Sequence, residues 1–387
     1  MTEPDDLSVL SKEPFRQALS TLDSFMAETG RVFLIGAGCS ACAGVPLMDK
    51  LTVDVLDNDG LDATTAGILK GVQACFSGAD KPNIEDYLSE IVDLLAITER
   101  RSERGAVESK TRIGEAGYTG QQLREAVEKI KLAIVSIIEG KNRKMDISVH
   151  RSFVRAVHRP RRPGKTDGVD SVCYLCLNYD TLLEDALALE RVPFADGLDG
   201  GATGWWSPSV FERSGLLAKV YKLHGSINWS ELDNDPLPRR VVSNVDVGHQ
   251  GDKHILIWPA STKYRETQLD PYATLMSLGR SALGASSPGS QKILFICGYR
   301  FADAHINFEI DRALRESRGQ LTTVVFTSDD TPQGLVKAWH DDPGLTKQVL
   351  VFTKRGFFHG ATCEQSGDAD LPWWKFENMV RLLEGER

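Results

Sequence analysis

Six short runs constrain this chain more than any other feature: VCYLCL, AKVYKL, HILIW, KILFICG, LTTVVFT and KQVLVFT. Each is rich in strand-forming residues and nearly continuous in apolar character. A strand with one wet face alternates apolar and polar residues, whereas a strand covered on both faces does not. The six runs therefore predict strands of a parallel sheet buried between two layers. Helical stretches lie between several of them, at 180–190, 270–283, 303–317 and 332–341. Strands alternating with helices predict a doubly wound α/β domain.

The first strand of that sheet is read at 31–35, and the second appears only near 171. The text between is mostly helical. NIEDYLSEIVDLLAI repeats apolar residues at 84, 88, 91, 94 and 95 behind Asn83, a suitable N-cap. QQLREAVEKIKLAIVSIIEG does the same and stops on Gly140. The charged, glycine-spotted stretch ERRSERGAVESKTRIGEAGYTG between them reads as a mobile loop. HRPRRPGKTDG, at 158–168, reads as a basic surface loop. The expected organisation is a discontinuous sheet domain at 1–48 and 159–355, a helical module inserted at 49–158, and a C-terminal extension at 356–387.

Composition bounds the function. The 387 residues are 41% hydrophobic and 26% charged, the balance of a soluble globular protein. A net charge of −9 argues against strong, non-specific nucleic-acid binding. The acidic start, MTEPDDLSVLSKEP, lacks a signal-peptide pattern, and no apolar run has membrane-spanning length. Seven cysteines scattered through apolar segments suit reduced thiols and a cytoplasmic location.

Four strand ends carry polar or glycine-bearing tips: GAGCSACAG, NYDTLLE, KLHGSINW and CGYRFADAHIN. Ligands of doubly wound sheets bind outside the carboxyl ends of the strands, so the four tips are expected to line one crevice. Gly36-x-Gly38-x-x-Ala41 nearly fits a dinucleotide fingerprint, although a tight turn also explains it. The acidic residue that a dehydrogenase needs about 20 residues later falls on Asp54 or Asp57, in helical text. Asn178 and Asp180 precede a helix, and one of them suffices as its cap. His224 follows a strand directly, beside Gly225, which lets a ligand approach. Cys39-x-x-Cys42 reads either as a metal or redox pair or as small residues in a tight turn.

The ordered set GAGCS, AGVP, LNYDTLLE, KLHGSINW and GYRFADAHIN resembles the sirtuin-like domain in its bacterial defence-associated branch, over roughly residues 30–315. The resemblance implies a Rossmann-like NAD-binding domain with a second, smaller module. By that likeness the loop of Gly36, Ala37, Gly38, Ser40 and Gly44 covers the NAD phosphates and nicotinamide ribose. Asn178 matches the catalytic asparagine that positions a water or the ribose. Asp180 matches the residue that reads the nicotinamide carboxamide, and His224, in the motif with Gly225 and Ser226, matches the catalytic histidine, a general base toward the ribose hydroxyls. Gly298 and Asp303 fall in the segment that holds the adenosine half.

Two departures separate the chain from sirtuin deacylases. Their Pro-Asp-Phe-Arg run is replaced by Pro46-Leu47-Met48-Asp49-Lys50. Their zinc module has no counterpart, because one cysteine pair lies in the glycine loop and Cys173 and Cys176 point to opposite faces of a strand. No zinc is expected. The resemblance implies an NAD+ hydrolase that yields ADP-ribose and nicotinamide and depletes NAD in antiphage defence. A protein deacylase or ADP-ribosyltransferase, and a non-catalytic nucleotide sensor, are the rival readings. A homo-oligomer is expected, with a HerA-type hexameric ATPase as partner. Trp373, Trp374 and Phe376 offer either interface anchors or packing on their own domain.

Overall fold

The structure, a computed structural model, describes residues 5–76, 81–105, 110–140, 144–159, 171–232, 235–240, 254–257, 269–284, 290–367 and 369–386. The chain begins with α1 (Phe15–Met26), β1 (Arg31–Ile35), α2 (Met48–Leu56), α3 (Ala63–Gln73) and α4 (Ile84–Glu103). The hairpin β2 (Lys110–Ile113) and β3 (Ala116–Thr119) leads to α5 (Gly120–Glu139), α6 (Ser148–His158), β4 (Val172–Cys176) and α7 (Leu182–Leu189). Short strands follow: β5 (Phe194–Ala195), β6 (Leu198–Asp199) and β7 (Trp205–Trp206). Then come β8 (Ala218–Lys222), β9 (Gly225–Leu232), β10 (Asp235–Arg240), β11 (His254–Ile257) and α8 (Tyr272–Leu283). The last part holds β12 (Lys292–Cys297), α9 (Ala304–Glu316), β13 (Leu321–Phe326), α10 (Gly334–Asp341), β14 (Val349–Phe352), β15 (Gly356–His359), β16 (Thr362–Gln365) and α11 (Phe376–Glu384).

Nine strands form the main sheet in the order β16-β15-β14-β13-β12-β1-β4-β8-β5. The seven from β14 to β5 pair in parallel, and the β15–β16 hairpin closes one edge antiparallel. From β1 the chain steps to β4 and β8 on one side, and later to β12 and β13 on the other. The strand order reverses at β1, which makes the carboxyl ends of β4, β1 and β12 the topological switch point.

The apolar runs are continuous because both faces are covered. Phe33 and Ile35 of β1 join a core under α1, α6, α7 and α11. Val32 and Leu34, one residue out of phase, join a second core under α8, α9 and α10. A third core, built from α2 to α5 and Ile113, meets the sheet through Ala43, Val45, Tyr179 and Leu182. Helix α6 does not belong to it: Phe153, Val154, Ala156 and Val157 lie in the sheet's own core.

The structure differs from the sequence reading at several points. Residues 110–119 form a hairpin where a mobile loop was expected, because Thr111 and Ile113 alternate inward and Gly114 supplies the turn at φ +61°. HILIW is not a strand of the parallel sheet. Its β11 pairs antiparallel with β9 in a separate five-stranded sheet, β11-β9-β10-β7-β6. Trp373 is fully buried, 5.6 Å from the Phe15 ring and 5.1 Å from that of Phe352, and its indole N–H donates to the Thr353 carbonyl. Trp373 and Phe376 lie in the sheet's core, and Trp374 packs against it. The basic stretch at 158–168 lies outside the described residues from 160 onward. Among the described residues, no helix is long and apolar enough to cross a membrane.

Candidate functional site

The carboxyl end of β1 passes into the loop of Gly36, Ala37, Gly38, Ser40 and Gly44. Two short 3₁₀ turns, at Ala37–Cys39 and Ala41–Ala43, fold it before α2 begins. Its glycines meet backbone. A Cβ on Gly36 would stand 2.5 Å from the Gly298 carbonyl oxygen, and one on Gly38 would stand 2.7 Å from Gly298 Cα. Gly298 itself has φ +63°, and its own Cβ would lie 2.5 Å from the Cys39 nitrogen. The Gly36 amide donates to Cys297 and that of Gly38 to Gly298, each at 2.9 Å. Glycine is required here because the turns after β1 and β12 touch main chain to main chain. The amides of Cys39, Ser40, Ala43 and Gly44 also donate to carbonyls within the loop. Gly44 closes it in the left-handed region at φ 86°.

Ser40 ties the loop to the tip after β4. Its hydroxyl donates to Asp180 Oδ2 at 2.7 Å and accepts from Asn178 Nδ2 at 2.8 Å. All three side chains are buried. The serine proton points to a carboxylate, so the amide nitrogen of Asn178 must face the serine, and its oxygen points away. That oxygen, Asn178 Oδ1, is buried and has no hydrogen-bond partner among the described residues. Asp180 Oδ1 accepts the Leu182 amide at 3.1 Å, the capping role expected for this stretch. Each carboxylate oxygen can accept more than one bond, so Asp180 keeps acceptor capacity.

His224 follows β8 directly and is 6% exposed. Its Nε2 lies 3.0 Å from Asp303 Oδ2. Gly225 at φ +83° opens β9, and Ser226, fully buried, donates to the Tyr179 carbonyl at 3.3 Å. The Tyr179 ring lies 6.5 Å from the His224 ring, and its hydroxyl donates to Glu85 Oε1 at 2.5 Å. Glu85 stands in the first turn of α4, so the inserted helices reach the edge of the site. The four tips are thus brought together as the topology requires. Asp303, expected with the adenosine half, stands against the histidine.

Two participants escaped the sequence reading. Lys222, fully buried at the end of β8, donates to the Asp180 carbonyl at 2.5 Å and lies 3.2 Å from Glu184 Oε1. A lysine inside the apolar run AKVYKL was its signal, since a cation on a covered strand needs a buried anion. His150 of α6 is 3% exposed, and its Nδ1 has no hydrogen-bond partner among the described residues. Burial pulls its imidazole below the ordinary value while the Asp180 carboxylate opposes that shift.

Cys39 and Cys176 are buried, whereas Cys75 and Cys363 are exposed. Burial pushes the Cys42 and Cys176 thiols up to about 12, away from the thiolate form. Cys176 lies in one sheet core and Cys173 packs on the other. Among the described residues, no three His, Cys, Asp or Glu side chains gather as for a metal ion.

No curated protein matches the chain. A family model described as a SIR2-like domain matches residues 172–346, from β4 to just beyond α10. The match holds Asn178, Asp180, His224 and Asp303, and the sheet places β1 and its glycine loop between β4 and β12 of the matched segment. This match over residues 172–346 supports a sirtuin-like, NAD-related protein.

Proposed function

We propose that the protein hydrolyses the nicotinamide–ribose bond of NAD+. The observation that carries this reading is the buried, unpartnered Asn178 Oδ1, held rigid by Ser40 and Asp180 at the switch point. An unmet acceptor in a buried site costs about 1–3 kcal/mol, which a ligand donor would recover. A water molecule or a ribose hydroxyl is such a donor, and NAD+ fits the residues present.

Asn178 orients the water, and His224 takes the proton released as its oxygen bonds to the anomeric carbon. The electron pair of the broken C–N bond leaves with nicotinamide, which becomes neutral. ADP-ribose and nicotinamide are the products, and the balance needs no other reactant. The turns of Gly36, Ala37, Gly38 and Gly44, and of Gly298, bound the phosphate side. Gly225, with Ser226 beside it, would let the ribose approach next to His224, and Asp180 keeps acceptor capacity for the nicotinamide carboxamide. The same chemistry with an acyl-lysine or protein acceptor is the deacylase or transferase alternative. Depletion of NAD in antiphage defence, a homo-oligomeric state and control by a HerA-type ATPase are supported by the sequence resemblance.

The test is product analysis by chromatography after incubation with NAD+. Wild type should release nicotinamide and ADP-ribose in equal amounts. Asn178→Ala and His224→Ala should each lose on the order of 10²–10⁴ in rate while keeping a native melting transition. Near-wild-type hydrolysis by folded His224→Ala would sink the mechanism.

A further inference from the structure

We propose that Asp303 is the positioning residue for His224, fixing both the orientation and the tautomer of the imidazole; the assignment rests on the hydrolase reading above. Its two carboxylate oxygens do different work. Oδ1 caps α9, accepting the amides of His305 at 2.9 Å and Ile306 at 3.2 Å. Oδ2 faces His224 Nε2 at 3.0 Å, with both side chains 8% exposed. The turn is clamped from behind by Tyr299, whose hydroxyl donates to Asn307 Oδ1 at 2.9 Å and accepts the Asp303 amide at 3.2 Å. The carboxylate is therefore held by a helix end and a partly buried phenol before it meets the histidine.

An ionised carboxylate only accepts, so the neutral imidazole beside it must carry its proton on Nε2. That leaves the lone pair on Nδ1, the nitrogen that would receive a proton from water. A fixed ring also removes rotational freedom that the reaction would otherwise have to freeze. The carboxylate then favours the imidazolium formed when the proton arrives. The sequence likeness placed Asp303 with the adenosine half of the substrate. The geometry gives it to the reacting end.

Asp303→Asn separates the two roles. Asparagine caps helices as well as aspartate, so its amide oxygen keeps the bonds to His305 and Ile306. Its amide group would then turn a donor toward Nε2, drive the proton to Nδ1 and put the lone pair on the wrong nitrogen. The expected result is a kcat loss of about 10²-fold or more with KM within a few-fold and a near-native melting temperature. The ¹⁵N signature of the His224 ring should change from Nε2-protonated to Nδ1-protonated. Asp303→Ala should lose both the rate and thermal stability. A folded Asp303→Asn enzyme with kcat within threefold of wild type, or with an unchanged ring signature, would overturn the proposal. Wild-type protein that leaves NAD+ intact would remove the hydrolase reading instead, and the ring signature would still decide whether Asp303 sets the imidazole.

Discussion

Gly298 shows how a single missing side chain holds the site together. It sits at φ +63° with the Cys39 nitrogen 2.5 Å from where its Cβ would be. A left-handed conformation costs a non-glycine residue about 1–2 kcal/mol before any clash. The clash here is with backbone, which cannot swing aside, and Gly36 and Gly38 meet the same turn from the other side. Gly298→Ala is therefore expected to lower the melting temperature and to reduce NAD+ turnover together, by parting the loop that carries Ser40 from the turn that leads to Asp303. Thermal denaturation checks the first effect, and an unchanged melt would refute the account. The glycine-rich spelling of GAGCSACAG was legible in the sequence. That its glycines face another turn was not, because the partner lies some 260 residues away in a chain whose contacts are set by strand order.

At the scale of elements, α6 is the one whose placement changes the reading. The sequence groups it with the inserted helices by position, yet its apolar face lies against the sheet. His158 at its end has its Nε2 2.9 Å from the Tyr174 hydroxyl of β4. Burial, and then the nearby Arg31 charge, lower the His158 imidazole to about 4. His150 on the same helix is also lowered by burial. In the unfolded chain both histidines take up a proton near pH 6.5. Between about pH 6.5 and 4 the unfolded state thus binds more protons than the folded one, and stability falls as pH falls. Urea midpoints measured at pH 7 and pH 5 should therefore drop toward pH 5. His158→Gln, which cannot charge, should narrow that gap, and an unaltered gap would show that the fold does not depress the His158 imidazole. The β2–β3 hairpin escaped the sequence reading for a different reason. Its alternation spans only four residues a side, and the surrounding charge masks it.

For the whole molecule, assembly is the open dimension. Trp373 and Phe376 stand in the sheet's core, so they cannot serve as the anchors of an interface. A homo-oligomer, as proposed, must use another surface. Light scattering on the purified protein is expected to give a multiple of the 42.7 kDa chain mass. A single species of chain mass, with and without an added HerA-type ATPase, would count against both the oligomer and its proposed control.

The sequence alone determined the α/β class, the doubly wound sheet and the set of tips that meet at its carboxyl edge. It could do so because double burial writes itself into each strand as an unbroken apolar run, and because turn residues mark each strand's end. Only the tertiary structure decided which polar groups pair. Ser40 bridges Asn178 and Asp180, Lys222 sits beneath Asp180, and Asp303 faces His224. These partners are brought together by the order of parallel strands across the sheet. That order is fixed by long-range packing, and no local periodicity records it.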